Sequence, residues 1–197
     1  MLTKAERTKK FIVETVAPIF NQQGYAATSL NDLTKATGLT KGAIYGNFES
    51  KEALAVAAFK YNVNELFKQI SLHQQESDSA LGALYKITEF YRSYYQFSRK
   101  LGGCPILNIG VDAHHQEGPL MAQVQSVISK SQQHIQSLVE LAVKEGDLKA
   151  EFANKNFGKL MYTRIQGAIF MMQTMDDHTY VVEAVDALDQ LISKYEI

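Results

Sequence analysis

TSLNDLTKATGLTKGAIYGNFESK, residues 28–51, is the stretch whose reading decides the fold. Leu30 and Leu33 share one face of a short helix that stops at Thr37-Gly38, because glycine closes a helix and turns the chain without steric penalty. Leu39 follows as an apolar anchor, and Thr40 caps a second helix through its hydroxyl. In that helix Ile44 and Phe48, four apart, face inward. Its other face presents Thr40, Lys41, Gly42, Tyr45 and Asn47. Such small, donor-bearing and cationic groups suit the major groove of DNA: Lys neutralises phosphate, Tyr and Asn donate hydrogen bonds, and Gly42 and Ala43 let the backbone approach closely. The segment reads as a helix-turn-helix.

Outward from it, nearly everything reads as helix. Thr3 with Glu6 forms a capping box that opens a helix running to about Gln23, and Gly24 ends it. Either Thr28 or Ser29, with Asp32 following, caps the next helix. A fourth, long helix runs from about Lys51 to His73, and a fifth covers roughly 79–99. Pro105 starts a short sixth segment through Asp112; Gly118-Pro119 starts a seventh that closes at Gly146. The last two cover about 154–175 and 179–195. The expected fold is all-α with about nine helices. A three-helix head containing the helix-turn-helix occupies residues 1–50, and a helical bundle occupies 51–197, with the helix from about residue 50 linking them.

The chain's 197 residues carry a net charge of only −1, which argues against a general nucleic-acid coat protein. The distribution is uneven: residues 1–60 hold eight basic and five acidic groups, and the remainder hold twelve and sixteen. A basic head on an acidic body fits a two-part DNA-binding sensor. No apolar run approaches the roughly 18 residues that span a bilayer, and no signal-peptide core follows the N-terminal lysines. The lone Cys104 excludes an internal disulfide, so a cytoplasmic setting is expected.

Phe48-Glu49-Ser50-Lys51-Glu52-Ala53-Leu54, together with Gly24-Tyr25, Thr28-Ser29 and Gly38-Leu39-Thr40-Lys41-Gly42-Ala43-Ile44-Tyr45, resembles the TetR family of bacterial transcriptional regulators. The likeness is dense over residues 8–54; beyond residue 60 it rests on helix count and on the short stretch GGCPILNIGVDA. The resemblance implies a homodimer on a near-palindromic double-stranded operator, most often a repressor, released when a small effector binds the C-terminal body. The ligand-binding and dimerisation roles of residues 51–197 come only from this resemblance. Carried over by position, Thr28 and Ser29 contact phosphate, Thr40, Lys41, Gly42, Ala43 and Tyr45 lie on the recognition helix, and Lys51 holds a phosphate. Where the family usually places His before the Phe, this chain has Asn47, which donates a hydrogen bond but carries no charge.

In the C-terminal half, Phe157, Met161, Ile165, Ala168, Met172 and Met175 step by three and four along one helix, and Val181, Val185, Leu188, Ile192 and Tyr195 along the next. Two such stripes can pair with their two-fold mates as a four-helix bundle, or be buried within one chain. Tyr85, Tyr94, Cys104, Met121, Ile128 and Phe170 supply aromatic, Met and apolar lining for a mostly apolar effector pocket, though each also suits ordinary core. Cys104, at a helix start, reads either as a buried small residue or as an electrophile-sensing thiol. Asp112, His114, His115 and Glu117 carry ligand chemistry without metal-site spacing, so no metal or cofactor is expected. No nucleophile–base spacing or phosphate loop points to an enzyme.

Overall fold

The structure, a computed structural model, describes residues 2–114 and 118–197. Among them are eleven helices: α1 (Lys4–Gln23), α2 (Leu30–Thr37), α3 (Lys41–Tyr45), α4 (Lys51–Gln74), α5 (Ala80–Arg92), α6 (Tyr94–Leu101), α7 (Pro105–Asp112), α8 (Pro119–Glu145), α9 (Ala150–Ala153), α10 (Phe157–Met175) and α11 (Thr179–Ser193). No strand occurs among the described residues beyond one isolated bridge between Leu148 and Glu196. The all-α fold is as expected, but nine helices become eleven. The expected helix over 79–99 breaks at Ser93, whose φ of −98° and ψ of 6° leave the helical region and whose hydroxyl donates to the Phe90 carbonyl at 3.1 Å. Short polar side chains compete with the helix ladder in this way. The one-turn α9 is the other addition.

The chain separates into two compact units: Met1–Glu65 with Ser98–Ser126, and Leu66–Phe97 with Val127–Ile197. In the first, α1 packs on α2 and α7, and α2 on α3. Local chemistry fixes the ends of these helices. Thr3 and Glu6 form a reciprocal capping box, as do Ser29 and Asp32, which settles the cap of α2 on Ser29. Gly38 sits at φ 68°, the left-handed turn between α2 and α3. Ile12, Val16, Ala17, Phe20, Leu33, Ile44, Leu54 and Ala58 form the buried core beneath these helices.

In the second unit α11 packs on α10 and α5. Phe90 meets Tyr91, Tyr94 and Phe97 edge-on at centroid distances of 5.3, 5.9 and 5.5 Å. At Gly158 a Cβ would lie 2.1 Å from the Gln132 carbonyl oxygen, so only glycine lets α10 approach α8 this closely. The stripe expected to face a second copy is corrected here. Phe157, Met161, Ile165, Met172, Val185, Leu188 and Ile192 are each at most 1% exposed in a single chain. Their surface is consumed by α10, α11 and neighbouring helices of the same chain, which leaves none for a partner.

Candidate nucleic-acid interface

The five residues of α3 form little more than one turn, too short to persist without tertiary support. Two features hold it. The Thr40 hydroxyl accepts the Ala43 N–H at 3.1 Å, and Ile44 is driven into the core at 1% exposure. Thr40, Lys41, Gly42 and Tyr45 then project to solvent, Tyr45 being 41% exposed, while Ala43 is half-buried. Four of the five groups expected on the outward face thus stand exposed, and the fifth, Asn47, does not. Asn47, half-buried, donates its amide to the Ala43 carbonyl at 2.9 Å and so closes the helix end.

Thr28 and Ser29 part company. Thr28 is fully buried and its hydroxyl donates to the Gly24 carbonyl at 2.6 Å, whereas Ser29 stays exposed at the N-terminus of α2. A helix N-terminus with free amides attracts phosphate oxygen. Asp32 closes that terminus from the side; the Ser29 hydroxyl, then the Ser29 amide, hold its carboxyl below the usual range.

Lys51 is half-buried and already engaged. Its ammonium donates to the Tyr25 carbonyl at 2.6 Å and stands 4.6 Å from the centre of the Tyr25 ring. Burial pushes its pKa down, with the carboxylates of Asp112 and Asp32 acting the other way. The Tyr25 peptide N–H, in turn, donates to Asp112 at 2.6 Å, and that of Ala26 to the same oxygen at 3.2 Å. Sequence reading passed over this use of Asp112. No spacing rule connects positions 87 residues apart, and the residue drew notice only as a metal-ligand type. His115 and Glu117 of that group lie outside the described residues; among the described ones no three metal-ligating side chains converge.

The six expected pocket residues are distributed over both units. Cys104 and Met121 belong to the first unit; Tyr85, Tyr94, Ile128 and Phe170 belong to the second. Phe170 is 51% exposed, Tyr94 is buried in the aromatic cluster, and the Tyr85 hydroxyl pairs with Glu196. Burial, then that carboxylate, pushes the Tyr85 phenol well above its ordinary pKa. A cavity of ≈ 50 Å³ does lie within the second unit, lined by Phe67, Ile70, Ile87, Tyr91, Ser131, His134, Ile135, Tyr162 and Ile165. Burial lowers the His134 pKa, and its Nε2 lies 3.2 Å from the Gln74 side-chain oxygen. Most of these lining groups belong to the apolar stripes of α4, α5 and α10; the periodicity that marks them as inward-facing does not tell cavity wall from packed core.

Residues 12–58 match the profile described as bacterial regulatory proteins, tetR family, and residues 80–188 match the tetracyclin repressor-like C-terminal domain. The chain is 31% identical to a TetR-family transcriptional regulator from Cytophaga hutchinsonii, over 100% of this chain and 98% of that one, with a TM-score of 0.87. A TetR transcriptional regulator from Chloroflexus aurantiacus is 28% identical, with coverage of 99% and 98% and a TM-score of 0.90. IcaR of Staphylococcus aureus, a negative transcriptional regulator of the biofilm operon icaADBC, is 25% identical over 80% of this chain and 91% of its own. No helix among the described residues is long and apolar enough to cross a membrane.

Proposed function

The chain belongs to the TetR family, a helix-turn-helix transcriptional regulator and not an enzyme, and on that footing we propose that it represses transcription as an operator-bound homodimer released by a small, mostly apolar effector. The observation that carries the operator reading is the α3 surface, where Thr40, Lys41, Gly42 and Tyr45 stand exposed on a helix pinned by buried Ile44. That surface, 1–50 being the DNA-binding domain, docks in the major groove; Ser29 and the α2 amides contact phosphate, and Lys51 orients the preceding turn. Repression is favoured by the likeness to IcaR, itself a negative regulator.

Dimerisation uses the outward side of α10. Gly167 has nothing within 4 Å of where a Cβ would stand, and farther along the same helix Phe170 and Met175 are 51% and 57% exposed. An open glycine with exposed apolar groups on the same helix lets a second helix approach closely. For the effector, the cavity lined by Tyr91, His134 and Tyr162 carries no charged side chain, which favours a neutral molecule with a polar end. At ≈ 50 Å³ it holds little more than a water-sized group. An effector must therefore spread the surrounding helices on entering, and that displacement releases the operator.

The test is selection of duplexes from a random pool by the purified protein, followed by sedimentation of the complex. Enrichment of a near-palindrome carrying two chains per duplex supports the reading. Failure to enrich any sequence, or one chain per duplex, overturns it.

A further inference from the structure

Asn108 and Asp112 stand one turn apart on α7, so their side chains share a face. Both reach the far end of α1 and the turn that follows it. Asn108 donates to the Asn21 carbonyl at 2.9 Å, which satisfies a carbonyl in the last turn of α1. Asn21, 1% exposed, donates in return to the Leu101 and Gly103 carbonyls at 2.6 and 3.0 Å. Asp112 then accepts the free amides of Tyr25 and Ala26. Its carboxylate sits so close that a Cβ on Gly24 would lie 2.8 Å from its oxygen, and Gly24 at φ 82° is where a side chain would also be strained.

The Tyr25 residue is consequently held on every side. Its N–H goes to Asp112, its carbonyl to Lys51, and its ring stacks on Phe20 while lying under the Lys51 ammonium. Four residues later comes Ser29, the cap that starts α2, and α2 packs on α3. A carboxylate is the wrong sign for attracting DNA, so its field opposes binding wherever it acts. Its geometric effect is opposite: two charge-assisted hydrogen bonds fix the direction in which the chain enters the helix-turn-helix.

We infer that Asp112, though it lies in the stretch matching the C-terminal domain, is a positioning residue for sequence-specific DNA binding: it anchors the α1–α2 turn and thereby sets the pitch of α2 and α3. This rests on the operator reading above. It separates two terms that move together in an ordinary destabilised variant, specific and non-specific affinity.

The experiment compares wild type, Asp112→Asn and Asp112→Ala on the duplex that wild type selects and on a scrambled duplex of equal length, across a salt series. Amide hydrogen exchange at Tyr25 and Ala26 is followed without DNA. Asparagine keeps an oxygen in place and loses the charge; alanine loses both. Specific affinity should fall in the order wild type, Asn, Ala, by about tenfold or more for Ala, as expected when hydrogen bonds to a charged group are lost. Scrambled-duplex affinity should hold or tighten, the salt slope should stay the same because no phosphate contact is removed, and the two amides should exchange faster. Equal changes on both duplexes, or unchanged exchange at Tyr25 and Ala26, would overturn the inference. Should wild type select no duplex, the operator reading fails, and the exchange measurement alone decides whether Asp112 anchors the turn.

Discussion

Truncating Ile44 tests how the recognition helix is held. Ile44 is 1% exposed and is the buried residue of a five-residue helix. Ile44→Ala removes roughly three carbon groups at about 0.8 kcal/mol each. A residual cavity raises the loss to about 3 kcal/mol, within the usual range for such truncations. At about 2–4 °C per kcal/mol for a chain of this size, Tm should fall by about 6–12 °C. Ile44→Val removes one methyl group and should lose about 1 kcal/mol. The local consequence is larger than the global one. With no other buried side chain in α3, about 3 kcal/mol multiplies the population of the opened helix by roughly 150. Discrimination between selected and scrambled duplexes should therefore collapse for Ala and weaken modestly for Val, while binding to scrambled DNA stays near wild type. Calorimetry with fluorescence anisotropy on both duplexes measures this. An Ala variant that loses under about 1 kcal/mol, or that keeps its discrimination, would refute the idea that Ile44 anchors α3.

Three further outcomes follow from the geometry. Phe170→Glu should leave the folded chain's Tm per protomer almost unchanged, since the ring is 51% exposed in one chain, but sedimentation should show monomers; an intact dimer would place the interface elsewhere. Gly158→Ala puts a methyl 2.1 Å from the Gln132 carbonyl and should lower stability by about 1–3 kcal/mol in chemical denaturation; a neutral result would mean α8 and α10 separate freely. Asp32, whose carboxyl is held below its usual range by Ser29, contributes stability present above the unfolded-state value of 3.8 and lost as pH falls through its lower folded value. Asp32→Asn should therefore be less stable than wild type at pH 7, with the gap closing on acidification below about pH 4; a gap that widens there would contradict the capping-box account.

Local chemistry explains why so much of the head was legible. The Thr3, Ser29 and Thr40 caps and the Gly24 and Gly38 turns each depend on residues within four positions, and sequence displays such neighbours directly. The exposed face of α3 followed from the same reasoning, because Ile44 fixes which side points inward. Longer-range facts were hidden. Periodicity in α10 and α11 identifies a buried side but not what buries it, so the stripe from Phe157 through Ile192, expected at a dimer face, has a spacing that single-chain core also satisfies. Exposed Phe170, classed by its ring with pocket lining, stands instead on the outward side of α10. Ser93 lacked a proline or glycine beside it to announce the break between α5 and α6. Asp112 and Lys51 meet at Tyr25 only after folding joins segments far apart in the chain.

Dimethyl sulfate footprinting of the selected duplex bears most directly on the central claim, because the reagent methylates guanine N7 in the major groove and adenine N3 in the minor groove. Docking of the Thr40–Tyr45 face predicts protected guanine N7 positions in two clusters whose centres lie about 10 base pairs, or a multiple of that, apart. Protection confined to adenine N3, or a single cluster with no symmetric mate, would contradict the account.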